Sequence, residues 1–155
     1  MNGEQEEKVF DVGDSVFYPM HGVGIVESIE EKDMLGERAK YYILRFITSK
    51  LTAMVPVASA DSVGLRPVID SSECEKIFEY LDAAAVCAES DNMAKLKDGD
   101  IYDVADVIKC LKRRDSLKGL SAGDRKMLIT ARQVLSAELS AASGRNIDEI
   151  RDIIG

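Results

Sequence analysis

From Val9 to Val68, apolar side chains alternate with polar ones and turn formers interrupt them every few residues, the pattern of short strands with one face against a core. Val23 and Ile25 point one way with Ile29 in step, Tyr42, Leu44 and Phe46 form a second such face, and Leu51, Ala53 and Val55 a third. Gly13-Asp14, Pro19 to Gly22, Leu35-Gly36 and Ser49-Lys50 are the expected turns. About five strands in so short a stretch are too few for a two-sheet sandwich and suit a small SH3-like or Tudor-like barrel.

After "RPVIDSSE" the period changes. Cys74, Ile77, Phe78 and Leu81 follow helical spacing, with Ser71 or Ser72 as the N-cap, and Ile101, Val104, Ala105, Ile108 and Leu111 mark a second helical stripe that ends near Gly119. Ser121 opens the longest helix, with Asp124 as the partner in a capping box, and Asn146 caps a short last helix that runs through Ile154. The expected fold class is therefore α+β in two domains: a flexible tail over 1–8, an N-terminal SH3/Tudor-like five-stranded barrel over 9–68 and an all-α domain over 69–155.

Composition narrows the class. The chain of 155 residues is 46% hydrophobic, enough for packed cores. Its first residues lack the basic start and apolar run of a signal peptide, and no later run could span a bilayer, which points to a cytoplasmic protein. Cys74, Cys87 and Cys110 are odd in number and widely spaced, with no CxxC pair, and are expected to be reduced thiols. A net charge of -8 argues against nucleic-acid binding by bulk charge, so any DNA contact must come from a local patch.

No arrangement of nucleophile and base, no metal-ligand spacing and no phosphate-cradling loop is present, so no catalytic residue, metal or cofactor is expected. His21 has no second histidine or cysteine near it and reads as a turn residue. The local exception to the acidic balance runs from Lys109 to Arg132. There Lys109, Lys112, Arg113, Arg114, Lys118, Arg125, Lys126 and Arg132 face only Asp115 and Asp124. On the long helix Met127, Leu128, Ala131, Val134 and Leu135 share one sector, opposite Arg125 and Arg132. Taken alone, this fits a solvated amphipathic face as well as a phosphate-contacting patch.

The stretches "VFDVGDSVFYPMHGVGIVESIEE", "KYYILRF", "MVPVASADSVGLRPV" and "RDSLKGLSAGDRKMLITARQVLSAEL" together resemble the CarD/CdnL family of bacterial transcription regulators. The resemblance covers nearly the whole chain from Val9 to about Leu139, and it implies a non-enzymatic factor. Its Tudor-like domain would bind the β subunit of RNA polymerase, as the related domain of transcription-repair coupling factor does, and its helical domain would touch promoter DNA. Carried onto this chain, it places polymerase contact at Lys32, Thr52, Ala53 and Met54. It matches Arg114, Arg125 and Lys126 to basic DNA-contacting positions, and the surrounding basic cluster adds Arg113, Lys118 and Arg132 as expected DNA contacts.

The chain departs from the family pattern by having no tryptophan. Many family members carry one that wedges into the minor groove, on a longer stretch before the segment matching "NMAKLKDGD"; here the chain passes from Val86 through "CAESD" directly to Asn92. The expected action is that of a monomer, tethered by polymerase, whose weak, non-sequence-specific backbone contacts change the lifetime of the open promoter complex. The second reading is a polymerase-binding adaptor or competitor that has lost productive DNA contact.

Overall fold

The computed structural model describes residues 10–47, 49–83 and 92–155. The expected flexible tail lies outside them. The chain divides into two compact units, Met1–Val68 and Ile69–Gly155.

The first unit is one antiparallel sheet of β1 (Ser15–Tyr18), β2 (Gly22–Met34), β3 (Glu37–Phe46), β4 (Thr52–Pro56) and β5 (Arg66–Pro67), in the order β4-β3-β2-β1-β5. The edge strands β4 and β5 do not pair, so the sheet is open where a closed barrel was expected. β5 is only two residues long, and Pro67 has no N–H with which to extend a ladder.

Val16, Val26, Tyr42, Leu44, Phe46 and Val55 form the core of this unit, closed by Phe10, Ala60 and Leu65. The expectation for β2 is corrected. Val23 and Val26 are buried while Ile25 is 37% exposed, and a bulge between Val26 and Ser28 inserts Glu27, so Ile25 and Ile29 fall on opposite faces instead of in step. Gly24, opposite Phe46, leaves little room for a side chain: a Cβ there would lie 3.2 Å from the Phe46 ring, which would have to give way. Tyr42 spans the core, where its hydroxyl accepts the Phe10 N–H at 3.0 Å.

The second unit is helical: α1 (Ser71–Asp82), α2 (Asn92–Asp98), α3 (Ile101–Lys118), α4 (Ala122–Ser143) and α5 (Ile147–Ile154). Ser121 and Asn146 cap α4 and α5 as expected, accepting the Asp124 and Asp148 N–H groups at 3.1 and 2.7 Å. Asp70, not a serine, caps α1, since the Ser72 hydroxyl itself donates to the Asp70 carboxylate. Ile77, Val104, Ile108, Leu111, Ala131, Leu135, Leu139 and Ile150 are buried. Within the core of α4, the buried Glu138 accepts the Ile69 N–H at 3.0 Å and so fastens the chain where it enters this unit.

Tyr80 donates to Asp106, which also pairs with Lys95 at 3.2 Å, and this tie between α1, α2 and α3 pushes the phenol up to about 12. Cys74 is a free, buried thiol, as expected. Cys110 is disulfide-bonded, which corrects the expectation of a reduced thiol there, and Cys87 lies outside the described residues.

Two outcomes follow from this packing. Replacing Tyr42 with Phe leaves the buried Phe10 N–H without its acceptor, and chemical denaturation should register a loss of about 1–2 kcal/mol. In α3, burial, a hydrogen bond with Asp98 and the nearby Asp100 push the Asp103 carboxyl up to about 6. The folded chain therefore holds this proton more tightly than the unfolded one, and the stability it contributes is complete below about pH 4 and lost as pH rises through 6. Asp103→Asn should be more stable than the parent by about 1–2 kcal/mol at pH 7.5, after allowance for solvent screening, with the advantage gone by pH 4 in the same denaturation series.

Candidate functional site

The sheet presents one surface. Cross-strand register sets Thr52, Arg45 and Ile25 in one row, Met54, Ile43 and Ser28 in the next, and Pro56, Tyr41 and Glu30 in a third, all on the side away from the core. Lys32, two residues beyond Glu30, lies on the same side, opposite Ala39. Three of the four residues expected at the polymerase contact, Lys32, Thr52 and Met54, thus share one face. Ala53 does not: it is opposite Leu44 and packs against the core.

Along β3 the positions of Met54 and Lys32 are four residues apart, roughly 13 Å, so Tyr41 and Ile43 occupy the ground between them. These two residues went unnoticed in the sequence, although their alternation with Tyr42 and Leu44 in "KYYILRF" marks them as the opposite face. Met54 is 41% exposed and lies on an edge strand whose far side has no partner among the described residues. Lys32 is not a free cation. Its ammonium pairs with Glu30 at 3.2 Å, and Glu30 also accepts the Ser28 hydroxyl at 3.0 Å. The Ser28 hydrogen bond, and then Lys32, hold the Glu30 carboxyl below its ordinary range.

The helical unit presents the second surface, and its cations fall into two groups. Lys109 donates to the Tyr80 carbonyl at 2.7 Å and Lys112 to the Ile154 carbonyl at 2.9 Å, so both serve the last turns of neighbouring helices. Arg132 is half-buried and donates to Gly155 O at 2.8 Å, directed at the end of α5. Arg114 bridges α3 to α4 through Asp124 at 2.9 Å, which takes the carboxylate that would have completed the expected capping box.

Arg113, Lys118, Arg125 and Lys126 remain exposed around the α3–α4 turn. Gly119, with φ of 83°, makes that turn, and Leu117 beside it is 73% exposed. Arg113, Arg114, Leu117 and Lys118 line a shallow depression of about 280 Å³. Arg125 and Lys126 lie in the first turns of α4, where the helix dipole already places partial positive charge. Two cations are disfavoured there in isolation, and an anion against the turn would reverse the sign of that cost.

His21 is exposed and stacks on Tyr18 and Phe46, with ring centroids at 5.0 and 5.7 Å, within the turn formed by Met20 and Gly22 at positive φ. Among the described residues no group of His, Cys, Asp and Glu could hold a metal ion, and no helix is long and apolar enough to cross a membrane.

Comparison with known proteins matches a family model to each half of the chain. Residues 10–69 match the family described as the CarD-like/TRCF RID domain, and residues 89–155 match CarD, C-terminal domain. The Bacillus subtilis (strain 168) protein named "Putative transcription factor YdeB" is 35% identical over 154 residues, covering 92% of this chain and 98% of its own. The solved structure described as "CdnLNt from Myxoccoccus xanthus" is 37% identical and covers 44% of this chain and 94% of its own, with a TM-score of 0.34. Both halves of the chain, in order and across nearly its whole length, thus place it in the CarD/CdnL family of transcription regulators.

Proposed function

We propose that this chain is a non-enzymatic transcription regulator that holds the RNA polymerase β subunit through its sheet and applies weak phosphate contacts to promoter DNA through its helical unit. The observation that carries the reading is the set of exposed cations around the α3–α4 turn of an otherwise acidic chain: Arg113, Lys118, Arg125 and Lys126. Lysine and arginine on the backbone position a protein without reading bases. Arg114 and Arg132, half-buried and each engaged with a protein oxygen, would act by fixing the helices that carry the exposed cations, of which Arg125 also reaches the Leu120 carbonyl at 3.4 Å.

The sheet supplies the other half of the reading. An unpaired edge strand beside an apolar row of Met54 and Ile43 offers both main-chain pairing and side-chain burial to a partner. Once the sheet is bound, the concentration of the helical unit near DNA is set by geometry, so four cations can suffice where bulk charge opposes binding. The SH3/Tudor-like form expected of this unit belongs to the same reading, with partner binding completing what the open sheet lacks.

The absence of tryptophan, together with the commitment of Lys109, Lys112, Arg114 and Arg132 to contacts within the protein, favours a second reading. In it the chain is an adaptor or competitor that occupies polymerase without productive DNA contact.

Open-complex lifetime on a linear promoter fragment separates the two. Arg125→Glu with Lys126→Glu should change the lifetime at least severalfold and leave polymerase capture intact; an unaltered lifetime would establish the adaptor. Lys32→Glu with Met54→Glu should weaken capture of the β subunit at least tenfold in a pull-down titration, as expected when a central apolar contact and a cation are both reversed. Undiminished capture would move the interface away from this face.

A further inference from the structure

Beyond the rows shared with β4, the β2–β3 hairpin continues as a ribbon of two strands. Glu31 faces Lys40, Lys32 faces Ala39, Asp33 faces Arg38 and Met34 faces Glu37, and none of these pairs has a third strand beside it among the described residues. At roughly 3.3 Å per residue the ribbon reaches on the order of 10 Å past the sheet. A ribbon without a core beneath it is marginal in water. This one is laced by ion pairs, Arg38 with Glu31 at 3.1 Å and Lys32 with Glu30 at 3.2 Å.

Its tip is Leu35-Gly36, with φ of 53° and 84°. Positive φ at both positions is a two-residue turn whose twist suits the flanking strands, and its first position favours Asn, Asp or Gly. A leucine is a poor choice there on two counts. The left-handed conformation strains it, and its side chain, at 103% exposure, gains nothing from the fold. Among the described residues no contact compensates for either.

The surroundings of the tip narrow what it could meet. Lys32 and Arg38 pair with Glu30 and Glu31, whereas Asp33, opposite Arg38 in the register, and Glu37, both flanking the turn, form no ion pair among the described residues. The apolar tip is flanked by these two carboxylates. The ribbon's outward side, through Lys32 and Ala39, also runs on without a break into the Tyr41, Ile43 and Met54 surface.

We propose that the β2–β3 ribbon is a docking finger whose Leu35 enters an apolar socket with a basic rim on the polymerase subunit engaged by the sheet. This inference rests on the polymerase reading above and extends its contact surface beyond the β4 edge. Burying one leucine offsets the strain of its turn, and the carboxylates of Asp33 and Glu37 meet the cations of the rim.

The test uses the full chain and purified RNA polymerase, and reads thermal stability and binding affinity for each variant. Leu35→Asn gives the turn its favoured residue, so its melting temperature should equal or exceed the parent's while its affinity falls about tenfold, the loss expected for one buried leucine. Leu35→Met, which keeps an apolar side chain of similar volume, should bind within about threefold of the parent. Asp33→Lys with Glu37→Lys should weaken binding at low salt more than at high salt.

Parental affinity in Leu35→Asn overturns the finger. If Lys32→Glu with Met54→Glu still loses binding in that series, the polymerase face stands without it; if that pair binds normally too, both readings fall. Weak binding by Leu35→Asn with normal binding by the Lys32 and Met54 pair keeps the finger and removes the face.

Discussion

A single extra residue in the second strand decides which side of the sheet is core and which is surface. Without the bulge at Glu27, strict alternation from Val23 would carry one register through to the end of β2. With it, Gly24 and Val26 face the core before the bulge and Ile29 pairs with the buried Tyr42 after it, while Ser28, Glu30 and Lys32 line up with Ile43 and Met54. The bulged residue is held by its own ion pair, since Arg45 Nε donates to Glu27 at 2.9 Å. The composition of the exposed face, apolar toward β4 and charged toward the hairpin, follows from that one insertion.

In the helical unit the governing constraint is electrostatic. Helices end in unpaired carbonyls, and here Lys109, Lys112 and Arg132 answer the carbonyls of Tyr80, Ile154 and Gly155. Arg114 is committed to Asp124. What is left outside this internal use gathers around Gly119. A run of like charges along the chain is thus sorted by packing into cations that hold the unit together and cations that face outward.

The features legible in the sequence were those written in local backbone chemistry. Gly13, Gly22, Gly36, Gly119 and Gly144 all lie at positive φ, and Ser121 and Asn146 cap helices because their side chains reach an N–H two or three residues on. What escaped depends on partners distant in sequence. The bulge is visible only against β3, the Asp70 cap depends on which of three adjacent oxygens wins the N–H, and the buried Glu138 makes sense only beside Ile69. The site residues followed the same divide. Residue type nominated Arg114 and Arg132 as readily as Arg125 and Lys126, and only packing distinguishes a half-buried cation held between helices from an exposed one at a turn. Leu35-Gly36 was legible as a turn, but its reach past the sheet was not.

The hydrogen bond from Ile69 to Glu138 also has a mechanical side. Tension on the chain from the sheet unit arrives at Ile69 before it reaches Asp70 or any residue of α1. There it meets an anchor in the C-terminal half of α4, beside the buried Leu135 and Leu139. Anchored in this way, the first residue of the helical unit is seated on α4 before the chain turns into α1.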